Sequence, residues 1–116
     1  MSEIKEAEFA EVADLIGPSK GEKEVVIKTL GKKVKIRKVT VGELSQIYKV
    51  SKENELEQYI WLVYKGLVSP KMNVEQIRQL NHMLLLEIAN EISKFSGLDR
   101  KSMKKLENLL GKEQES

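Results

Sequence analysis

The chain is predicted to be an α+β protein, mainly helical, in which an N-terminal helix and a β-hairpin precede a bundle of about four helices. Two observations lead to this prediction. Residues 24–39 hold two short runs rich in β-branched residues on either side of a Gly-Lys-Lys turn, as is typical of a hairpin. From residue 40 onward, apolar residues recur at helical spacing, and capping residues precede the runs.

The N-terminal region is predicted to form a helix over residues 4–16, which a Gly-Pro dipeptide ends. The polar stretch after it is predicted to be a linker. We therefore divide the chain into an N-terminal helix with its linker (1–22), one domain of hairpin and helical bundle (23–110), and a polar tail (111–116).

The hairpin is predicted to pair strand 24–30 with strand 34–39 across the turn at Gly31-Lys32-Lys33. A hairpin alone is marginally stable in water, so its apolar face must pack on the helices that follow or on another chain.

The joint between the second strand and the next helix carries two agreeing signals. Thr40 and Glu43 have the spacing of a capping box, in which each side chain bonds to the other residue's backbone N–H. Val39 and Leu44 occupy the two positions of a hydrophobic staple. These four residues are predicted to be a structural joint.

Four helices are predicted after this joint. They cover residues 41–50, 52–68, 74–96 (if the helix is unbroken at Asn81-His82) and 99–110. Gly97 followed by Leu98 has the pattern of a Schellman stop. In the last helix, Met103, Leu106 and Leu110 share one face.

Two of these helices have more apolar residues than one core stripe needs. On helix 52–68 the predicted core stripe is Leu56, Tyr59, Ile60, Val63, Tyr64 and Leu67. Trp61 and Leu62 lie outside it, and on the next helix Met83 lies at the edge of the stripe and Leu86 on the back. Such residues pack inside a bundle or against a partner. We take Trp61, Leu62, Met83 and Leu86 as candidates for protein interaction, with internal packing as the alternative.

The sequence shows no catalytic, cofactor or metal signature. It has no cysteine and no phosphate-binding glycine loop, and His82 is the only histidine, without a second one at helical spacing. Its N-terminus lacks the pattern of a secretory signal, and no apolar run reaches the length of a membrane span. We therefore expect a cytoplasmic protein that is not an enzyme, without a cofactor.

A nucleic-acid-binding module is one alternative function. The hairpin region carries Lys28, Lys32, Lys33, Lys35, Arg37 and Lys38. However, the net charge is only +2 and no aromatic residue lies among these cations, which disfavours nucleic acid. Lysines that protect an exposed strand edge are the simpler interpretation. A self-assembling structural protein, whose apolar helix backs form a homo-oligomer, is the other alternative.

The order of these segments resembles the tail assembly chaperones of long-tailed bacteriophages. The resemblance covers about residues 24–98 and depends on the joint KIRKVTVGEL, the apolar helix ELEQYIWLVYKGLVSP, the capped NVEQIRQL segment and the helix LLLEIANEISKFSGL. It implies a viral or prophage protein of the host cytoplasm that binds the tape measure protein, keeps it soluble and helps to recruit tail tube subunits. It implies no catalytic residue.

Overall fold

A computed structural model of the chain describes residues 7–52 and 54–98, and this part holds five α-helices and three strands. The mixed fold of helices with an antiparallel sheet agrees with the predicted α+β class. In chain order the elements are α1 (Val12–Ile16), a 3-10 turn (Gly17–Ser19), β1 (Glu22–Ile27), β2 (Lys32–Arg37), α2 (Val41–Ser51), α3 (Glu55–Gly66), β3 (Leu67–Ser69), α4 (Val74–Ile77) and α5 (His82–Phe95).

The predicted hairpin is present, but its turn comes earlier than the sequence suggested. β1 and β2 pair antiparallel, with Val25 opposite Val34, and the turn occupies residues 28–31. The prediction had assigned residues 28–30 to the first strand. These residues leave the strand because the backbone N–H groups of Lys28 and Thr29 bind a carboxylate on α5 and Gly31 adopts a positive φ of 69°.

The sheet has a third strand that the sequence analysis missed. The helix predicted through residue 68 ends at Gly66, and β3 pairs antiparallel with β2, giving the sheet order β1-β2-β3. Val68 is β-branched, and the residue before Pro70 is sterically driven toward extended backbone. Both local preferences therefore favour a strand over another helical turn.

The helix predicted over residues 74–96 is broken. α4 ends at Ile77, and Asn81, in extended backbone, begins α5 by accepting a hydrogen bond from the Leu84 N–H at 2.9 Å. Asparagine offers its side-chain oxygen to N–H groups that a helix start leaves unpaired, so it favours a cap over a helix interior. At the other end of α5 the predicted Schellman stop is confirmed, because the Leu98 N–H bonds to the Ser93 carbonyl and Gly97 has a positive φ.

The N-terminal helix is shorter than predicted within the described residues. Residues 7–11 are not helical, and α1 begins only at Val12, after Glu11 and Asp14 form a capping box. No residue of α1 is buried. The helix predicted over residues 99–110 lies outside the described residues.

The core lies between the sheet and helices α2, α3 and α5. α3 packs against both α2 and α5, and α5 also covers β1 and β2. Gly66 permits a very close approach of α3 to α5, because a Cβ at this position would lie 2.6 Å from Cγ2 of Ile92. The buried apolar residues are Val25, Ile27, Val34, Ile36, Val39, Ile47, Ile60, Leu62, Val63, Leu67, Ile77, Leu85, Ile88, Ala89 and Ile92.

Candidate protein-interaction groove

The capping box at the joint between β2 and α2 forms as the sequence predicted. The Glu43 N–H donates to the Thr40 Oγ1 at 3.3 Å, and the Thr40 N–H donates to a Glu43 carboxylate oxygen at 3.0 Å. Val39 is buried and Leu44 packs against the core. The Val39 N–H also donates to the Ser96 Oγ at 2.8 Å, which ties the joint to the end of α5.

An ion pair that the sequence analysis did not identify strengthens this joint. Both terminal nitrogens of the Arg37 guanidinium donate to the Glu43 carboxylate. These bonds, followed by the hydrogen bond from the Thr40 N–H, lower the pKa of Glu43 from 4.5 to about 2. The first turn of α2 is therefore held in a fixed orientation, which also fixes the outward residues of that helix.

The outward face of α5 lines an open hollow of about 700 Å³. Met83 and Leu86, both predicted as interaction residues, lie in it together, and Met83 is 65% exposed. Tyr59 of α3 and Leu98 contribute further apolar surface. The structure thus brings two of the four candidate residues into one site.

This hollow continues toward α2. Tyr59, Ser93 and Leu98 also line a second hollow of about 180 Å³, whose other walls include Leu44, Tyr48 and Leu62. A third hollow lies on the outer face of α2, where Val41 is 83% exposed and Tyr48 is 52% exposed. We call the surface formed by these three adjoining hollows the apolar groove. Its large apolar side chains are Val41, Leu44, Tyr48, Tyr59, Leu62, Met83, Leu86 and Leu98.

Polar and charged side chains also line the first hollow beside Met83 and Leu86, and we call them the rim of the apolar groove. Glu87 accepts hydrogen bonds from the Thr29 hydroxyl and from the backbone N–H groups of Lys28 and Thr29, and the hydroxyl bond is the largest cause of the lowered pKa of Glu87. Glu91 lies 3.7 Å from the Lys94 ammonium group. An apolar floor with a charged rim is typical of surfaces that bind another protein.

Leu62 corrects part of the sequence prediction. It is only 8% exposed and belongs to the core, although its side chain also forms part of the groove floor. α2 packs against α3, and the buried face of α3 is wider than one stripe, which agrees with the internal-packing alternative for Leu62. Conversely, Leu56 and Tyr64, which were predicted to be in the core, are exposed.

Trp61 lies apart from the apolar groove. It is half-buried, packs against the core and makes an edge-to-face contact with Tyr64 at 5.6 Å between ring centroids. The neighbouring Glu57 has a lowered pKa, mainly because of its hydrogen-bonded ion pair with Arg78. Trp61 is not among the residues that line the three hollows.

The contribution of α2 to the groove was not predicted from the sequence. Val41, Leu44 and Tyr48 recur at helical spacing on one side of this helix, while Ile47 and Ser51 are buried on another. Two apolar stripes on one short helix indicate that the helix has a second apolar face besides the one buried in the core. Tyr59 was assigned wholly to the core, whereas its half-buried ring also forms a wall of the groove.

The basic residues of the hairpin are partly neutralised by other groups. Arg37 binds Glu43, and the Lys33 ammonium lies 3.1 Å from Glu24. Lys38 donates to the Pro18 carbonyl at 2.8 Å and lies over the Phe95 ring. These contacts leave less free positive charge on the hairpin than the sequence implied.

The described residues contain no cluster of three or more His, Cys, Asp or Glu side chains that could hold a metal ion. His82 is exposed at the start of α5. Among the helices of residues 7–52 and 54–98, none has the length and hydropathy required to cross a bilayer.

Comparison of the chain with protein-family models, with curated proteins and with solved structures found no match in any of the three. The functional interpretation therefore depends on the geometry of the apolar groove and on the sequence.

Proposed function

We propose that the chain is a protein-binding module that acts as a phage tail assembly chaperone and receives an apolar helix of the tape measure protein in the apolar groove. The observation that supports this proposal is the continuity of the groove across α2, α3 and α5, with three large, exposed side chains on it: Val41, Tyr48 and Met83. A surface of this kind, with a charged rim, favours binding over catalysis.

The chemistry of the groove fits the apolar seam of a coiled-coil protein. Such a protein presents apolar side chains at a and d positions along one side of each helix, and a helix of this type binds a groove through residues one and two turns apart. Covering the seam before the partner assembles would keep the partner soluble. The charged rim would keep the empty groove from promoting aggregation of the chaperone itself.

The expected affinity is moderate. Burying five apolar side chains contributes about 10 kcal/mol at roughly 2 kcal/mol each. Association costs at least about 4 kcal/mol in lost freedom of motion. The remaining free energy of about 6 kcal/mol corresponds to a Kd of roughly 40 μM for one groove and one helix. A complex of this strength is reversible, and a partner with repeated seams can bind several copies.

The resemblance to the tail assembly chaperones adds the biological setting. It supplies the host cytoplasm as the place of action and the tail tube protein as a second partner. The confirmed capping box and hairpin belong to the segments on which this resemblance depends. The recruitment of tail tube subunits has no assigned surface on the chain.

Two alternatives have less support. A nucleic-acid-binding role would use the hairpin, where Arg37 and Lys33 already pair with carboxylates. It predicts binding to DNA or RNA that weakens steeply with salt. A homo-oligomer would use the apolar groove itself, and the mass of the protein in solution over a range of concentrations tests that alternative.

Co-expression tests the proposed function. The partner is a fragment of the long coiled-coil protein encoded next to this chain's gene, and the readout is the soluble fraction of that fragment. We expect the wild-type chain and Val26→Glu, which changes a 57% exposed residue of β1, to keep the fragment soluble. Met83→Glu should leave it insoluble while the variant itself folds, because Met83 is exposed. Equal solubility with all three chains, or a neighbourhood without a coiled-coil gene, would overturn the proposal.

A further inference from the structure

We infer that residues 7–16, which we call the N-terminal arm, bind in the apolar groove of a second copy of the chain, so that two copies exchange their arms. The displacement of the arm by a partner helix rests on the function proposed above, whereas the exchange itself does not. Three observations support this contact: the apolar side chains that the arm exposes, the way the arm is held on the sheet, and the charges of the two surfaces.

The N-terminal arm exposes several large apolar side chains. Phe9 is fully exposed, and Val12 and Leu15 are 71% and 72% exposed. Val12, Leu15 and Ile16 have the spacing that places side chains on one face of a helix, and no residue of α1 is buried. An exposed apolar face of this kind is typical of a surface that another protein surface covers.

The connection between the arm and the sheet is held by hydrogen bonds. The Ser19 hydroxyl donates to the Ile16 carbonyl at 2.6 Å, which ties the end of α1 to the 3-10 turn. The Lys38 ammonium donates to the Pro18 carbonyl at 2.8 Å, which ties that turn to the residue after β2. These bonds hold the arm in one direction, in which no residue of the arm lines any of the three hollows. The groove that the arm fills therefore belongs to another molecule.

The α2 end of the apolar groove fits the arm in charge as well as in apolar character. The hollow on the outer face of α2 has three apolar side chains and, among the described residues, one charged side chain, that of Lys49. The first hollow includes Glu87 and Glu91, which would repel an acidic segment. The arm contains three carboxylates and no basic residue; the carboxylates belong to Glu8, Glu11 and Asp14. Complementary charge therefore directs the arm to the α2 end of the groove.

A pair of copies can make both contacts at once. Each copy has one arm and one apolar groove, so reciprocal exchange about a two-fold axis closes the assembly at two copies. The second contact forms within the pair, where the effective concentration of the second arm is high. We therefore expect the dimer to have a Kd below the roughly 40 μM that applies to one helix in one groove.

The exchange would cover the groove in the absence of a partner. A partner helix with more apolar contacts than the arm would displace it, and its apparent affinity would be reduced by the fraction of grooves that arms occupy. This dimer differs from a structural homo-oligomer, because the dimer opens when the partner binds.

The mass of the full chain in solution tests the exchange. Sedimentation equilibrium compares the wild type with Phe9→Glu and with the control Val26→Glu, and both substitutions change an exposed apolar side chain. We expect the wild type and Val26→Glu to form the same dimer and Phe9→Glu to raise its Kd at least tenfold. A wild type that stays monomeric at roughly ten times the expected Kd, an unchanged dimer in Phe9→Glu, or growth into larger assemblies would overturn the inference.

Disulfide formation between separately prepared variants locates the contact. The chain has no cysteine, so single cysteines can be introduced without background. Ala13→Cys on the arm is mixed with Ser45→Cys on the α2 hollow, and the control mixture combines Ala13→Cys with Val50→Cys, which is exposed on α2 but lines none of the three hollows. We expect the test mixture to form the mixed disulfide at least tenfold faster than the control mixture.

Two results of this experiment would contradict the exchange. One is an equal rate for the test and control mixtures. The other comes from the double variant, Ala13→Cys with Ser45→Cys in one chain. If its disulfide closes within one molecule at a rate independent of protein concentration, the arm fills its own groove and no exchange takes place.

A competition experiment tests the displacement. We expect Phe9→Glu to lower the Kd for the coiled-coil fragment at least threefold, because its grooves are open, and an unchanged Kd would refute regulation by the arm. The mass and disulfide experiments contain no partner, so their failure would leave the proposed function standing. Conversely, a dimer that exchanges arms but does not bind the fragment would refute the proposed function alone.

Discussion

Replacing Glu43 with glutamine tests the joint that fixes α2 and one end of the apolar groove. The pKa of Glu43 falls from 4.5 to about 2, chiefly because Arg37 donates two hydrogen bonds to its carboxylate. A change of about 2.5 pKa units corresponds to about 3 kcal/mol. The Glu43 side chain is 23% exposed, so screening by solvent reduces the stabilisation below about 3 kcal/mol. We expect Glu43→Gln to lower the free energy of unfolding by about 2 kcal/mol at pH 7.

The effect should depend on pH in a defined direction. Glu43 has a lower pKa in the folded state than in the unfolded state, so the unfolded state binds more protons between the two values. Its contribution to stability is complete above about pH 4.5 and is lost as the pH falls toward about 2. The difference between wild type and Glu43→Gln should therefore shrink over that range.

Urea unfolding of both proteins from pH 7 to about pH 2.5 measures this difference. The matched control is Glu24→Gln, which removes an ion pair with Lys33 whose two side chains are mostly exposed. That control should change the free energy of unfolding by less than about 0.5 kcal/mol. The reasoning is refuted if Glu43→Gln is as stable as the wild type at pH 7, or if its deficit is the same at every pH.

Three further predictions concern packing, the rim and Trp61. Gly66→Ala should lower the free energy of unfolding by about 2 kcal/mol, because the new Cβ would lie 2.6 Å from Ile92. The control Gly42→Ala should not destabilise the protein, because no atom lies within 4 Å of the added Cβ. Chemical denaturation compares the two variants, and equal effects would contradict the close approach of α3 to α5. Glu87→Gln should speed amide hydrogen exchange in the hairpin turn, since the carboxylate holds two N–H groups there, and unchanged exchange rates would contradict this role. Trp61→Ala should lower the urea concentration at the unfolding midpoint but leave the Kd for the coiled-coil fragment unchanged, because the Trp61 ring packs outside the groove. A higher Kd in a folded variant would show that Trp61 belongs to the binding surface.

Local signals in the sequence were sufficient to predict the elements whose ends are set by helix caps and turns. The capping box at Thr40 and the Schellman stop at Gly97 were predicted correctly, and so was the antiparallel pairing of the two hairpin strands, although not the position of their turn. Each depends on residues fewer than about ten positions apart, whose side chains and backbone contact one another directly.

Elements that depend on distant contacts were not predictable in the same way. β3 exists because β2 offers a free edge to Leu67, and the early hairpin turn exists because Glu87 binds its N–H groups. A helical-wheel stripe also cannot show that α2 and α5 cover two sides of α3. For this reason the sequence left both surface exposure and internal packing open for Leu62, and the structure places it in the core.

Two of the four predicted interaction residues lie together, and their role in binding stays a prediction. Met83 and Leu86 lie on the outward side of α5 and share one hollow. They lie there because α5 buries a wide face formed by Leu85, Ile88, Ala89 and Ile92. The contribution of α2 was not predicted, because a second apolar stripe on a helix can equally be buried by a neighbouring element.

The central claim is that the apolar groove is the binding surface, and methyl NMR with the coiled-coil fragment tests it most directly. We expect the largest shift changes at the methyl groups of Val41, Leu86 and Met83, with Val26 unchanged on β1. Shift changes at Val26 or on α1, with the groove methyl groups unaffected, would contradict the claim.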